Sequence, residues 1–553
     1  MSPISKESIK TTHYNDWPNT QGFDVQYEEL NPTELEVTGI IPAYCAGVLF
    51  RNGLGPRGVE KDGKEVYKVS HWFDNLAQVH RFHIHAPTTD HSNVRVTHNS
   101  RLTCDGLVKR IQKTGFRGEV TFGAKYDPCL SLFQKAQSFF TPSLKESPDS
   151  VNIGVTLSVN FPGLSRTGTK RELPIDNKSG VQTLCNKTDN STLQMLDPET
   201  LEPIGVAKQT TLHPDLKGPI SASHAKTDPV TGEVYNYNLE MGPMGHYRVF
   251  TVSPSTGKTS ILATIKNPPA YVHSMFLTEN YVILCVWSSH FRMGGLPILF
   301  SHNLVDALAD YETTKLAKWF VVDRKVAGRG LVATYESDAF FSFHTINAYE
   351  EPSTKDPSKI DIVADVCAYD SLDVLKRFYI GNLLSNSPTA KPFCDPSNKN
   401  ARAAFRRFRL ASLPPTANSQ PLRASIEFSH EKGVCPELPS INPGVRGRKH
   451  RYVYGVTDSG KSSFIDGLVK FDVETTTSLY WSEHAQTAGE PIFVPDPKGN
   501  DEDSGVLLTV VLDGIGGKSY LLVLDAKTMT EIGRAKVDGV VGFGFHGVHV
   551  PDI

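Results

Sequence analysis

Apolar residues along most of the chain come in short runs rich in β-branched and aromatic side chains, such as GEVYNYN, KTSILATI, GLVKFDV and SYLLVLD. Such runs, bounded by Gly, Pro, Asp and Asn, read as strands rather than helices. A degenerate turn recurs between them: DPETLE from Asp197, DPVTGE from Asp228, SPSTGK from Ser253, DVETTT from Asp472 and DAKTMT from Asp525. Asp or Ser at the first position and Pro at the second suit a type I turn, so each copy predicts a hairpin end. The first three copies start 31 and 25 residues apart. That recurrence predicts an all-β chain, and a β-propeller is the architecture that repeats hairpins radially. An all-β protein with ordinary turn chemistry is the alternative reading of the repeat alone.

Helical periodicity is sparse. It predicts helices over 130–140, LSLFQKAQSFF, and 304–319, LVDALADYETTKLAKW. From Pro352 to about Gln420 the chain mixes polar, Pro-rich and Asn-rich stretches and reads as long surface excursions. Nothing resembles a linker, so a single domain over 1–553 is expected. The longest apolar run is Val506 to Leu512, too short to span a bilayer, and the N-terminus has no apolar signal-like core.

Composition narrows the function. Lys and Arg total 57 against 60 for Asp and Glu, a net charge of −3, which gives a nucleic acid backbone nothing to hold. The eight cysteines form no C-x-x-C pair, which fits a reducing, cytoplasmic setting and argues against structural zinc or iron–sulfur sites. The sequons at Asn177, Asn186 and Asn190 are then incidental. No P-loop and no convincing Ser/His/Asp or Cys/His set is present.

Nineteen histidines require local context to choose among them. His83 and His85 alternate on a strand, and His450 sits in the basic loop RGRKHR, where a solvated face is the simpler reading. His224, His273, His344 and His546 each lie in or beside a β-type run next to a turn, at separations of 49, 71 and 202 residues. This spacing excludes a zinc finger or an H-E-x-x-H helix. It suits a metal site on a propeller axis, where strands of different blades converge. For each histidine taken alone, a satisfied core residue is the plainer alternative.

Longer motifs carry a resemblance: GVLFRNGLGP from Gly47, HWFDNLAQVHRF from His71, LDPETLEP, SHAKTDPVTGE, VHSMFLTENY, FHTINAYEE, CPELPSINP, GEPIFVP and the terminal GFHG. In this order, over nearly the whole chain, the sequence resembles the carotenoid cleavage oxygenases. These are non-haem iron enzymes that split carotenoids, apocarotenoids and some stilbenes. The resemblance implies a seven-bladed β-propeller with short helices and long loops capping the iron-bearing face. It implies Fe(II) held by His224, His273, His344 and His546, with O2 as co-substrate. His549 is set aside because the motif falls on Phe545-His546-Gly547. Carboxylates are expected to orient the ligands: Glu437 for His344 and Glu490 for His546. For His273 the matching position is Asp189, where the family has Glu. One methylene shorter, it would need a backbone shift or a bridging water to reach His273, and a solvated turn residue is its other reading.

The implied reaction adds O2 across one C=C bond to give two carbonyl products. Stilbene-cleaving relatives carry Lys directly before the carboxylate that Asp189 replaces. Here that position is Thr188, with Lys187 one step earlier, which favours an apolar carotenoid or apocarotenoid. A stilbene or phenylpropanoid is the second reading, ahead of a retinoid isomerase or a non-catalytic lipid-binding propeller. Phe122 and Thr188 match substrate-lining positions. A membrane-borne substrate calls for an apolar patch at the entrance. Two segments offer one: 127–140, with Leu132, Phe133, Phe139 and Phe140 on one helical face, and 293–300, MGGLPILF. A plain core stripe is the alternative for the first. Peripheral membrane contact is thus expected, and no obligate protein partner.

Overall fold

In each repeated turn the Asp side chain folds back on its own backbone. Oδ1 of Asp197, Asp228, Asp472 and Asp525 accepts the N–H groups two and three residues on, at 2.7–3.2 Å. The fifth turn residue is left-handed in every copy: Leu201, Gly232, Gly257, Thr476 and Met529 all have φ between +56° and +72°. Each copy joins two neighbouring antiparallel strands, for example Gly467–Asp472 to Thr477–Trp481.

These hairpins assemble into an all-β, propeller-like body in the computed structural model, which describes residues 12–125, 147–164, 179–354, 356–415, 417–418 and 420–552. Among the described residues hydrogen bonding gives six sheets of four or more strands, not the seven expected. The difference lies in one eight-stranded sheet. There Leu331–Ser337 pairs in parallel with Leu422–Ser429, fusing two four-stranded antiparallel units along their outer edges. The ends of the chain interlock. Glu36–Gly39 completes the sheet built by 486–536, and Gly47–Leu54 pairs with the C-terminal strand Gly547–Pro551. No described helix is long and apolar enough to cross a membrane.

Three sequence expectations are overturned here. The periodic segment 304–319 is helical only over Leu304–Ala307, and its end joins the strand Ala317–Asp323. Trp319 is fully buried in that strand, its ring 4.9 Å from Phe408 and 5.7 Å from Phe276, and its indole N–H donates to Ser337. Packing of this core outweighs the local period. Trp319→Ala is expected to cost about 3–5 kcal/mol, read as a lower urea midpoint at unchanged slope. Secondly, the polar stretch from 352 to 420 contains the core strands Ile360–Tyr369 and Ala404–Leu410. Their charged residues are paired, as where Arg407 grips Asp365 at 2.6 and 2.7 Å. Finally, His450 is buried, not solvated, with Nε2 3.2 Å from Asp365. The other predicted helix, 130–140, lies outside the described residues, as do Leu132, Phe133, Phe139 and Phe140.

Candidate metal centre

Four histidines distant in sequence meet where sheet edges converge. His224 lies between the first strands of its sheet, Ile220–Ser221 and Lys226–Thr227. His273 precedes Phe276–Leu277, and His344 sits at an irregular point of Phe341–Pro352, where the pairing register shifts. His546 immediately precedes Gly547–Pro551. Their ligand atoms all lie within 4.8 Å of one another. The rings pack edge to face, with His224 and His546 4.2 Å apart at 86°.

The chemistry of this donor set fits a metal ion. Nε2 of His224, of His344 and of His546 is buried without any hydrogen-bond partner. Three orphaned ring nitrogens at one point carry an uncompensated desolvation cost, which a cation bound to their lone pairs removes. Burial lowers the His344 pKa to about 4 against the pull of Glu437. Burial, then repulsion from neighbouring cationic forms, holds His224 and His546 well below the ordinary value. These three imidazoles are therefore neutral near pH 7, the state that binds a metal.

Carboxylates fix which nitrogen faces inward. Nδ1 of His344 lies 2.6 Å from Glu437, whose other oxygen accepts the Tyr369 hydroxyl at 2.6 Å. Burial opposes ionisation of Glu437, but His344, Tyr369 and the Leu438 N–H outweigh it and lower its pKa. Nδ1 of His546 lies 2.7 Å from Glu490, which also accepts the Gly547 N–H at 2.8 Å. Burial pushes Glu490 up to about 7 despite Arg51, and a cation held among the histidines would favour its ionised form. Asp189 reaches His273 directly, with Oδ2 2.9 Å from Nδ1, and neither remains a solvated turn residue nor needs a bridging water. Its Oδ2 also accepts the Tyr271 hydroxyl at 2.8 Å, and its Oδ1 the Ser223 hydroxyl at 2.6 Å. Each ionised carboxylate can only accept, so the proton sits on Nδ1 and the lone pair of Nε2 points inward.

Sequence reasoning missed Tyr271, Tyr369 and Ser223. Tyr271 stands two residues before His273, a same-side spacing in extended chain that marks it. Tyr369 and Ser223 carry no such signal. His549 is apart from the cluster, its Nε2 3.0 Å from the Cys45 carbonyl.

A cavity reaches the site and is lined by His273, His344 and His546. Most of its wall is aromatic or aliphatic, with Trp72, Phe73, Phe343, Phe378, Phe464 and Phe545 among its residues. Neither Phe122 nor Thr188 belongs to this wall; Phe122 packs behind it, 4.7 Å from Phe73. Lys187 is also absent from the wall and is buried, its ammonium 6.0 Å from the Phe161 ring.

Comparison with known proteins follows this geometry. The chain is 41% identical to a carotenoid dioxygenase of Neurospora crassa, over 99% of this chain and 93% of the relative. It is 36% identical to a torulene dioxygenase of Fusarium fujikuroi, over 100% and 96%. In structure it resembles cobalt-substituted Synechocystis apocarotenoid oxygenase at a TM-score of 0.69 and 22% identity, over 96% and 98% of the two chains. The sequence profile described as retinal pigment epithelial membrane protein matches residues 22–551. The chain belongs to that family, the carotenoid cleavage oxygenases that its motifs resemble.

Proposed function

We propose that the protein is a non-haem iron dioxygenase that cleaves one C=C bond of a carotenoid or apocarotenoid into two carbonyl products. The observation that carries this reading is the four-histidine cluster opening into a largely apolar cavity. His224, His273, His344 and His546 are assigned as Fe(II) ligands, with Asp189, Glu437 and Glu490 holding the Nδ1 protons of His273, His344 and His546. When bound, ferrous iron supplies the redox chemistry that lets O2 react with a double bond. The rest falls to the chain. The apolar wall orients the polyene and keeps water out, and no general acid or base is required. Lys187, next to the position where stilbene-cleaving relatives carry lysine, is buried against Phe161 outside the cavity wall, which favours this substrate class over a stilbene or phenylpropanoid.

We further assign one domain over 1–553 with seven blades, counting the eight-stranded sheet as two. Its end strands Phe276–Leu277 and Phe341–Pro352 lie beside His273 and carry His344, so both ends return to one axis. Met293, Leu299 and Phe300 are each more than two-thirds exposed, and this apolar patch supports a peripheral membrane contact. The seven described cysteines are free thiols, which accords with a cytoplasmic setting. Fe(II)-loaded protein given β-carotene, torulene, an apocarotenal, resveratrol and isoeugenol in air should yield paired aldehydes or ketones from the polyenes. An isomerised alcohol, or products from the phenolic alkenes alone, would overturn the reading.

A further inference from the structure

Two of the described cysteines meet beside the metal centre. Along Ile360–Tyr369 every second residue faces the segment 435–450: Asp365 meets His450, Cys367 meets Pro436 and Tyr369 meets Glu437. Cys367 Sγ lies 3.4 Å from the Pro436 carbonyl oxygen, and its thiol is also in hydrogen-bond contact with that of Cys435. The same two-residue step separates Cys435 from Glu437. The sulfur contact and the 2.6 Å bond from Tyr369 to Glu437 are therefore consecutive rungs between the same two segments. Cys435 belongs to the wall of the cavity that His344 and His546 also line.

A change at these sulfurs reaches His344 through one residue. The Glu437 N–H donates to the Cys435 carbonyl at 2.9 Å, closing a tight turn over Pro436, whose ring fixes one backbone dihedral. The Cys367 S–H donates to the carbonyl of that same proline. Glu437 in turn holds Nδ1 of His344 at 2.6 Å. A disulfide needs its sulfurs about 2.05 Å apart, so closing it draws Cys435 toward Cys367 and removes the S–H that Pro436 accepts. Both changes act on the turn that positions Glu437.

We propose that Cys367 and Cys435 are a modification site, a thiol pair that peroxide oxidises to a disulfide, shifting Glu437 and weakening the hold of His344 on iron. This rests on reading the four histidines as the iron site. Burial pushes both thiols up, so neither is much ionised near pH 7 and the pair reacts slowly. Their mutual contact raises Cys367 and lowers Cys435, which makes Cys435, on the cavity wall, the attacking sulfur. Its thiolate takes one oxygen of hydrogen peroxide as the O–O bond breaks, giving a sulfenic acid and a hydroxide that the released thiol proton converts to water. Cys367 then attacks that sulfur, and its own proton leaves with the displaced hydroxide as a second water. Two thiols and one peroxide become one disulfide and two waters, the sulfurs losing the two electrons that the peroxide gains.

Iron-loaded protein is treated with hydrogen peroxide, its remaining thiols are alkylated, and a digest made without reductant is read by mass spectrometry. Iron affinity is measured in parallel by competition with a chelator. A peptide joining the Cys367 and Cys435 segments should appear, iron should bind about 10–100-fold more weakly, and dithiothreitol should reverse both. Cys367→Ser, whose hydroxyl can still donate to Pro436, should form no linked peptide and keep its iron affinity through the treatment. Oxidation of the half-buried Cys394 with no linked peptide overturns the inference whether or not the variant folds, as does a linked peptide with iron affinity unchanged. Iron loss that dithiothreitol does not reverse, equal in wild type and Cys367→Ser, assigns the effect to damage elsewhere and also overturns it. Protein that takes up no iron even when reduced overturns the iron reading, and the linked peptide then still decides the disulfide.

Discussion

Replacing His546 with alanine is expected to strip the protein of iron and to lower polyene cleavage by more than about 100-fold, beyond the 10–100-fold typical of groups that only support a ligand. Its ring is the nearest of the three others to His224, and its Nδ1 is fixed by Glu490. Removing it takes away one of four donors and leaves Glu490 buried beside an empty space. The paired control is His549→Ala, three residues along, whose imidazole faces the Cys45 carbonyl. That variant should retain iron and activity. Metal analysis of the two purified variants, with product formation measured alongside, separates a ligand from a neighbour; full iron in His546→Ala would refute the assignment.

A second large effect is expected at Asp189. Four donors converge on its carboxylate: the Ser223 N–H and hydroxyl on Oδ1, and the Tyr271 hydroxyl and His273 Nδ1 on Oδ2. Asp189→Ala should lower iron affinity by about 10–100-fold. Asp189→Asn should fall nearly as far, because an amide nitrogen must then face donors on one side and a buried donor facing a donor is costly. Tyr271→Phe should cost less, since Ser223 still holds the carboxylate. Iron dissociation constants from competition with a chelator give this order. Equal affinity in Asp189→Asn and wild type would show that the carboxylate does not hold the ring.

The turn repeat made the all-β architecture legible, because an Asp that binds the two N–H groups ahead of it is chemistry written in four or five adjacent letters. The histidines were legible for a different reason. Wide separations in β-type settings leave convergence on an axis as the geometry that unites them, and family motifs then single them out. Trp319 was misread because tertiary packing, absent from any local window, overrides a helical period. Arg407 and Asp365 made their strands look like solvent-exposed chain, although each charge is neutralised by the other inside the fold. The same blindness to pairing hid the wall of the cavity. Arg377 and Asp458, both in that wall, are 81 residues apart, and only the folded chain shows them paired.

The reaction itself is tested most directly by following both atoms of dioxygen. Fe(II)-loaded protein is incubated with a polyene under isotopically heavy O2 in ordinary water, and the carbonyl products are trapped at early times and weighed by mass spectrometry. The account predicts two carbonyl fragments from one double bond, each carrying one heavy oxygen, and none from protein freed of iron by a chelator. Cleavage that persists without iron, or fragments of which only one carries the label at the earliest times, would contradict it.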